Sequence, residues 1–246
     1  EVLIEVRAAG LNPSDVKNVL GRFPYTTVSR IPGRDFAGVV VEGPPELMGT
    51  AVWGGAGKGF GFNRDGCHAQ YVAVPANAVA PKPELLSFAQ AATCGVPYIT
   101  AWDALERSQV RAAFQLSHAD QLPEQAEQSF EQNPPNVIFD TTGFWLPAAV
   151  NSVAPFGRVA VIAAPADGLV STPILGLYRR GGSIIGVNSL LYSLEDCARV
   201  LARIGADFDK GSIPVPYDFT TLPLSEGIAA YRDINAGGSG KIVLIP

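Results

Sequence analysis

The stretch NVIFDTTG, Asn136 to Gly143, decides the fold class of this chain. Its first half is a continuous apolar run with no alternation, the pattern of a strand buried on both faces of a parallel sheet. It closes on Asp140-Thr141-Thr142-Gly143, turn residues at the strand's carboxyl end, where open α/β sheets hold ligands. The same grammar recurs in RVAVIA (158–163), closing on Ala163-Ala164-Pro165, and in SIIGV (183–187), closing on Val187-Asn188-Ser189. Helical patterns separate the strands around 146–153 and 194–204, the second with Ser193 as its N-cap. That βαβ rhythm is half of a doubly wound sheet, and its three closing loops are expected on one ligand-binding rim.

Upstream the pattern changes. From residue 1 to about 85, short strands at 2–7, 36–41, 51–53 and 69–74 are divided by Gly and Pro, as in a small β-barrel or sandwich. Ser87 and Gln90 form a capping box, with Leu86 placed as a hydrophobic staple. The helix they open runs to Leu105, and Gly95-Val96-Pro97 is expected to kink or split it. A helix at 224–234 and a strand at 241–245 end the chain. Two glycine-rich stretches, 54–59 and 237–241, fail the spacing of a phosphate loop. The first reads as a surface loop and the second as a turn into the last strand.

The bulk numbers bound the function. The chain has 246 residues, enough for two modest domains. Its 47% hydrophobic and 17% charged residues are those of an ordinary globular protein. A net charge of −5 argues against a nucleic-acid or anionic-membrane partner. No apolar run is long enough to cross a bilayer, so a cytoplasmic protein is expected. Glu1 already lies in a strand-like alternation, so the natural product is expected to begin earlier. Cys67, Cys94 and Cys197 make no disulfide framework or CxxC site, and His68 and His118 have no metal-ligand spacing. Cys67 and His68 are neighbours in an alternating strand and should point to opposite faces, which reads as barrel filling.

Taken in order, EVLIEVRAAGLNPSD (1–15), IPGRDFAGVV (31–40), DGCHAQYVAVP (65–75) and GVPYITAWDAL (95–105) resemble the medium-chain dehydrogenase/reductase superfamily. NVIFDTTG, GRVAVIA, SIIGVNS and GKIVLIP continue the resemblance, specifically to its zinc-independent quinone oxidoreductase branch, the zeta-crystallin-like one. The resemblance implies an α/β fold of two domains. A GroES-like β-barrel domain takes residues 1–97 with 214–246, and a partial Rossmann-type parallel-sheet domain takes 98–213. It also implies NADP(H) as cofactor and hydride transfer to a quinone or α,β-unsaturated carbonyl, a small-molecule substrate, in a homodimer joined through sheet edges. Asn12 would lie near the nicotinamide and the substrate carbonyl, with Asp15 behind it. Thr100 and the rim residues Thr142, Gly143, Ala163, Ala164, Val187 and Asn188 would flank the cofactor. Branch relatives carry a tyrosine where Phe23 stands, which leaves Tyr25 as the candidate proton donor. Zinc-binding members place Cys and His where Asn12 and Arg34 stand. An amide and a guanidinium do not replace thiolate and imidazole, so no catalytic zinc is expected. Asp35 reads as a structural partner. An enoyl-thioester reductase, a zinc-type alcohol dehydrogenase and a cofactor-free scaffold retaining the fold are the alternatives.

One departure stands out. No glycine-rich turn occurs between Trp102 and Asn136. In the family a strand, that turn and a helix follow the helix ending near Leu105, and they set backbone N–H groups against the pyrophosphate. Here Glu106–Val110 runs straight into Arg111–Phe114, with no space for a βαβ unit of about 30 residues. Either the sequence skips residues, at a join between Glu106 and Ala113, or the protein lacks the unit. The open apolar edges of an unfinished sheet favour the skip.

Overall fold

The computed structural model describes residues 1–109 and 134–246. His118 and the second half of the expected join, 110–113, lie outside the described residues. The chain divides into two compact units, 1–99 with 189–246, and 100–188.

In the first unit β1 (Val2–Leu11), β2 (Asp35–Glu42), β3 (Ala51–Gly55) and β5 (Ala80–Pro81) pair antiparallel in the order β5-β3-β2-β1. The long β1 changes partner along its other edge. Val2–Glu5 pairs with β4 (Tyr71–Val74), and Ala9–Leu11 pairs with β10 (Ile242–Ile245). Register shifts between Leu3 and Ile4 and between Val6 and Ala8 supply the bend. The inward residues Val2, Ile4, Val6, Val40, Val72 and Val74 form a buried core. β9 (Thr220–Pro223) adds a parallel edge to β10. Two helices matter here, the first unread in the sequence and the second expected at 224–234. α1 (Pro13–Val19) leaves the end of β1, and α7 (Gly227–Asn235) packs with it over Leu11, Val16, Ala230 and Leu244.

The capping box forms as its residues dictate: the Ser87 and Gln90 backbone N–H groups each donate to the other's side chain, at 2.9 and 3.2 Å. The apolar stretch is split into α2 (Phe88–Ala92) and α3 (Gly95–Ser108), with Pro97 in the first turn of α3, where its missing N–H is harmless. The glycine-rich stretch at 54–59 departs from its surface-loop reading. Gly54 to Gly57 are buried, and the backbone N–H of Lys58 donates to Tyr192 at 2.7 Å.

A second difference concerns the domain boundary, which falls at 188/189 and not at 213/214. The cause is α6 (Leu194–Asp209). Leu194 joins the barrel core, and Phe208 packs edge-on to Trp53 with ring centroids 6.4 Å apart. The apolar face of this helix therefore belongs to the barrel.

The second unit holds β6 (Val137–Asp140), β7 (Arg158–Val161) and β8 (Ser183–Gly186), parallel and in that order. α4 (Leu146–Ser152) and α5 (Ile174–Arg180) complete it, and Ile138, Val150, Val153 and Val159 form its core. β8 is an open edge among the described residues, and Ile184 is 40% exposed on it. No helix among the described residues is long and apolar enough to cross a membrane.

Candidate functional site

Asn12 stands at the junction of β1 and α1 and is 4% exposed. Its backbone N–H donates to Asp15 Oδ2 at 2.9 Å. Its side-chain Nδ2 donates to Asp35 Oδ2 at 2.8 Å, and its Oδ1 accepts from Lys241 Nζ at 2.7 Å. These partners fix the amide orientation, because a carboxylate only accepts and an ammonium only donates. Among the described residues, one Nδ2 hydrogen is left for a further acceptor.

Two carboxylates and two cations surround this amide. Asp15, fully buried, pairs with Arg34 Nε at 3.1 Å. Arg34 is 1% exposed, also donates to Ser14 Oγ, and lies over the Phe62 ring at 5.1 Å. Asp35, fully buried, lies 3.7 Å from Lys241 Nζ, and its Oδ1 accepts from Val96 N–H at 2.8 Å. That last bond satisfies a free donor at the start of α3. It also needs Gly95, since a Cβ there would fall 2.3 Å from Asp35 Oδ1. Burial raises the Asp35 pKa, with Lys241 pulling the other way. Charges therefore balance around Asn12, as buried charges must.

This arrangement sorts the expected residues. Asp35 is a structural partner. Asp15, expected behind Asn12, is buried there: it accepts from the Asn12 backbone N–H and pairs with Arg34. Tyr25 is 44% exposed and packs on Phe23 and Phe62 with centroids 5.7 and 5.3 Å away. Burial raises its pKa, so its hydroxyl keeps its proton at neutral pH. Cys67 fills the barrel core. His68 does more than fill space: its Nε2 lies 3.3 Å from Gly10 O and its Nδ1 3.0 Å from Tyr231 Oη.

In the other unit, register sets Asp140, Val161 and Gly186 side by side, so the three loops after them share one rim. Gly143 fits there at φ +83°, because a Cβ would lie 2.7 Å from the backbone of Ala164. Thr142, Gly143 and Ala164 are thereby brought together. Their donors, however, are already engaged. The backbone N–H groups of Thr142 and Gly143 and the Thr142 hydroxyl all donate to Asp140 Oδ1 at 2.9 Å. The Trp145 N–H donates to its Oδ2 at 3.1 Å. A buried carboxylate thus fills the nest that an anion would need. Ala163 is half-buried and Asn188 exposed, while Val187 is buried with Ala104 and Ala160. Thr100 is half-buried in α3.

Lys241 was missed as a site residue. It lies 229 positions from Asn12, in a stretch that reads only as a turn, and nothing local marks it. Tyr231 likewise reads as an ordinary helix residue. For a divalent cation the donor set is poor: Lys241 occupies the Asn12 oxygen and Arg34 the Asp15 carboxylate. Among the described residues no three His, Cys, Asp or Glu side chains gather in a metal-holding group.

Residues 1–84 match the alcohol dehydrogenase GroES-like domain family. Over 99% of its length the chain is 33% identical to a zinc-type alcohol dehydrogenase-like protein of Schizosaccharomyces pombe, of which it covers 87%. That alignment spans 286 positions against 246 residues here, so about forty positions of the relative lack a counterpart, enough for a βαβ unit. An NADPH-dependent alkenal/one oxidoreductase of Arabidopsis thaliana is 36% identical over 46% of this chain, which spans 31% of that relative. An alcohol dehydrogenase superfamily protein from Novosphingobium aromaticivorans superposes with a TM-score of 0.85 at 25% identity, covering all of this chain and 91% of its own.

Proposed function

Because the chain belongs to the medium-chain dehydrogenase/reductase superfamily, we propose that it is an NADPH-dependent oxidoreductase acting on a quinone or an α,β-unsaturated carbonyl without catalytic zinc. The observation that carries this reading is the pinned amide of Asn12. Its remaining Nδ2 hydrogen is the donor for the substrate's carbonyl oxygen. Lys241 on Oδ1 polarises the amide and strengthens that donor, while Asp35 on the other hydrogen keeps it from rotating away. Negative charge builds on the carbonyl oxygen as the conjugated carbon is reduced, and a fixed donor there stabilises it. NADPH, when bound, supplies the hydride. The proton comes from water or from Tyr25, which is protonated at neutral pH.

The residues fit the cofactor in part. By the family resemblance, Thr100 and the rim residues Thr142, Gly143, Ala163, Ala164, Val187 and Asn188 would flank its nicotinamide end. Its pyrophosphate has no glycine-rich cradle in this sequence, and Asp140 holds the rim amides. The same two facts favour a second reading, a cofactor-free scaffold. NADPH fluorescence on mixing separates the two. Saturable enhancement at high micromolar cofactor, with enone reduction lost in Asn12→Ala, supports the reductase; no enhancement sinks it. One tightly bound zinc per chain, found by metal analysis, would instead revive a zinc-type alcohol dehydrogenase. The reading also takes a homodimer through the open β8 edge, and a monomeric mass in solution contradicts that part.

A further inference from the structure

In the unit formed by 1–99 and 189–246, a cavity of about 490 Å³ lies between α1 and α7, within the size range of small-molecule pockets. α1 divides its faces: Asp15 and Asn18 are buried in polar bonds, while Val16, Val19 and Leu20 line the cavity. α7 presents Ile228, Tyr231, Arg232 and Asn235, the i, i+3, i+4, i+7 stripe of one helix face. Val19, Leu20 and Ile228 are 51%, 49% and 70% exposed, so apolar walls stay open to solvent.

Hydrogen bonding at His68 and Tyr231, which also line the cavity, decides which way round a ligand would sit. Burial lowers the His68 pKa and keeps the ring neutral. The Gly10 carbonyl can only accept, so Nε2 carries the proton and Nδ1 accepts from the Tyr231 hydroxyl. These two side chains therefore offer no donor to an anion. Donors come from Arg232 and Asn235. Arg232 is the one charged side chain among the described lining residues, and it makes no ion pair with a described carboxylate.

We propose that this cavity binds an amphipathic monoanion, a medium-chain carboxylate, with its tail among Val16, Leu20 and Leu244 and its head on Arg232 and Asn235. The site is independent of the reductase reading. Isothermal titration of the whole chain with octanoate, and with octanol as the uncharged comparator, tests it. One saturable octanoate per chain is expected, tighter than octanol and weakened about fivefold by Arg232→Gln, the scale of an exposed ion pair. Ile228→Glu, at an exposed position that tolerates charge, abolishes binding. Ile174→Glu, on the exposed apolar surface of the other unit, leaves it unchanged. Octanol binding as tightly as octanoate, binding that survives Ile228→Glu or vanishes with Ile174→Glu, or no saturable binding at all overturns the proposal.

Discussion

Replacing Lys241 with Met removes a charge and two contacts while keeping most of the side-chain volume. The bond from Nζ to Asn12 Oδ1 is charge-assisted, 2.7 Å long, and such bonds contribute about 1.5–3 kcal/mol. The ion pair with Asp35 is 3.7 Å long, and breaking a fully buried pair costs about 3–5 kcal/mol. The Lys241 side chain is 19% exposed, so solvent screens part of that term. One ammonium serves both contacts, the terms do not add, and about 2–3 kcal/mol is expected at neutral pH. The loss depends on pH. Burial already raises the Asp35 pKa, so its contribution is complete below the unfolded value of 3.8 and is lost as pH rises through the folded pKa. Without Lys241 the folded pKa rises further. The penalty is then smaller where Asp35 is protonated, the Asn12 contact still being lost, and grows to a plateau above the variant's pKa. Hydrogen exchange of peptides from β1 and β2 reads the first unit alone. At neutral pH they should exchange roughly 30–150-fold faster in Lys241→Met than in the parent, with a smaller ratio at pH 4, and Lys241→Arg should recover most of the protection. A ratio below about threefold at neutral pH, or one that does not change with pH, refutes the reasoning.

Three other expectations follow from particular contacts. Gly143→Ala sets a side chain at φ +83° and 2.7 Å from the Ala164 backbone, and should destabilise the second unit by about 2–4 kcal/mol. Urea unfolding checks this, and a change under about 0.5 kcal/mol contradicts it. The lowered pKa of His68 makes the folded state resist protonation. Stability should thus be complete above the unfolded value of 6.5 and fall as pH drops through the folded pKa, by no more than about 1.4 kcal/mol per pH unit. His68→Phe should lack that slope in melts from pH 7 down to 5, and identical slopes would remove His68 as its source. Last, a natural product carrying the βαβ unit should weigh roughly 4 kDa more than 25.9 kDa, and an intact mass of 25.9 kDa excludes it.

The fold was legible where local patterning carries long-range information. Continuous apolar runs at 137–140, 158–161 and 183–186 specify parallel strands, although β8 is left largely exposed, and Ser87 and Gln90 mark a helix start by mutual capping. α6 was legible as a helix but not as to its owner. Its sequence fixes an apolar face, while only three-dimensional packing shows that Trp53 covers it. α5 went unread because Ile174, Leu175 and Tyr178 lie exposed, which blurs the periodicity that burial would impose. The rim loops were placed correctly at the strand ends. The engagement of their amides was invisible, since Asp140 serves equally as a ligand contact or as an internal acceptor until its side chain is seen.

The candidate site shows the same divide more sharply. The family resemblance sets Asn12 and Arg34 where zinc-binding members carry thiolate and imidazole, but it does not tell what balances the resulting charge. Arg34 brings a cation into a fully buried position, and that requires a carboxylate, which Asp15 supplies from the first turn of α1. Asp35 then requires a cation of its own, which arrives as Lys241 from the far end of the chain. Each charge is tolerable only because its opposite is present, so the four side chains behave as one device. Asn12, neutral and bonded to three of these elements by its backbone N–H and both ends of its amide, inherits its orientation from them. Its chemistry is therefore a property of the whole arrangement. Truncating Asn12 and truncating Lys241 should affect turnover non-additively, because the second residue acts through the first.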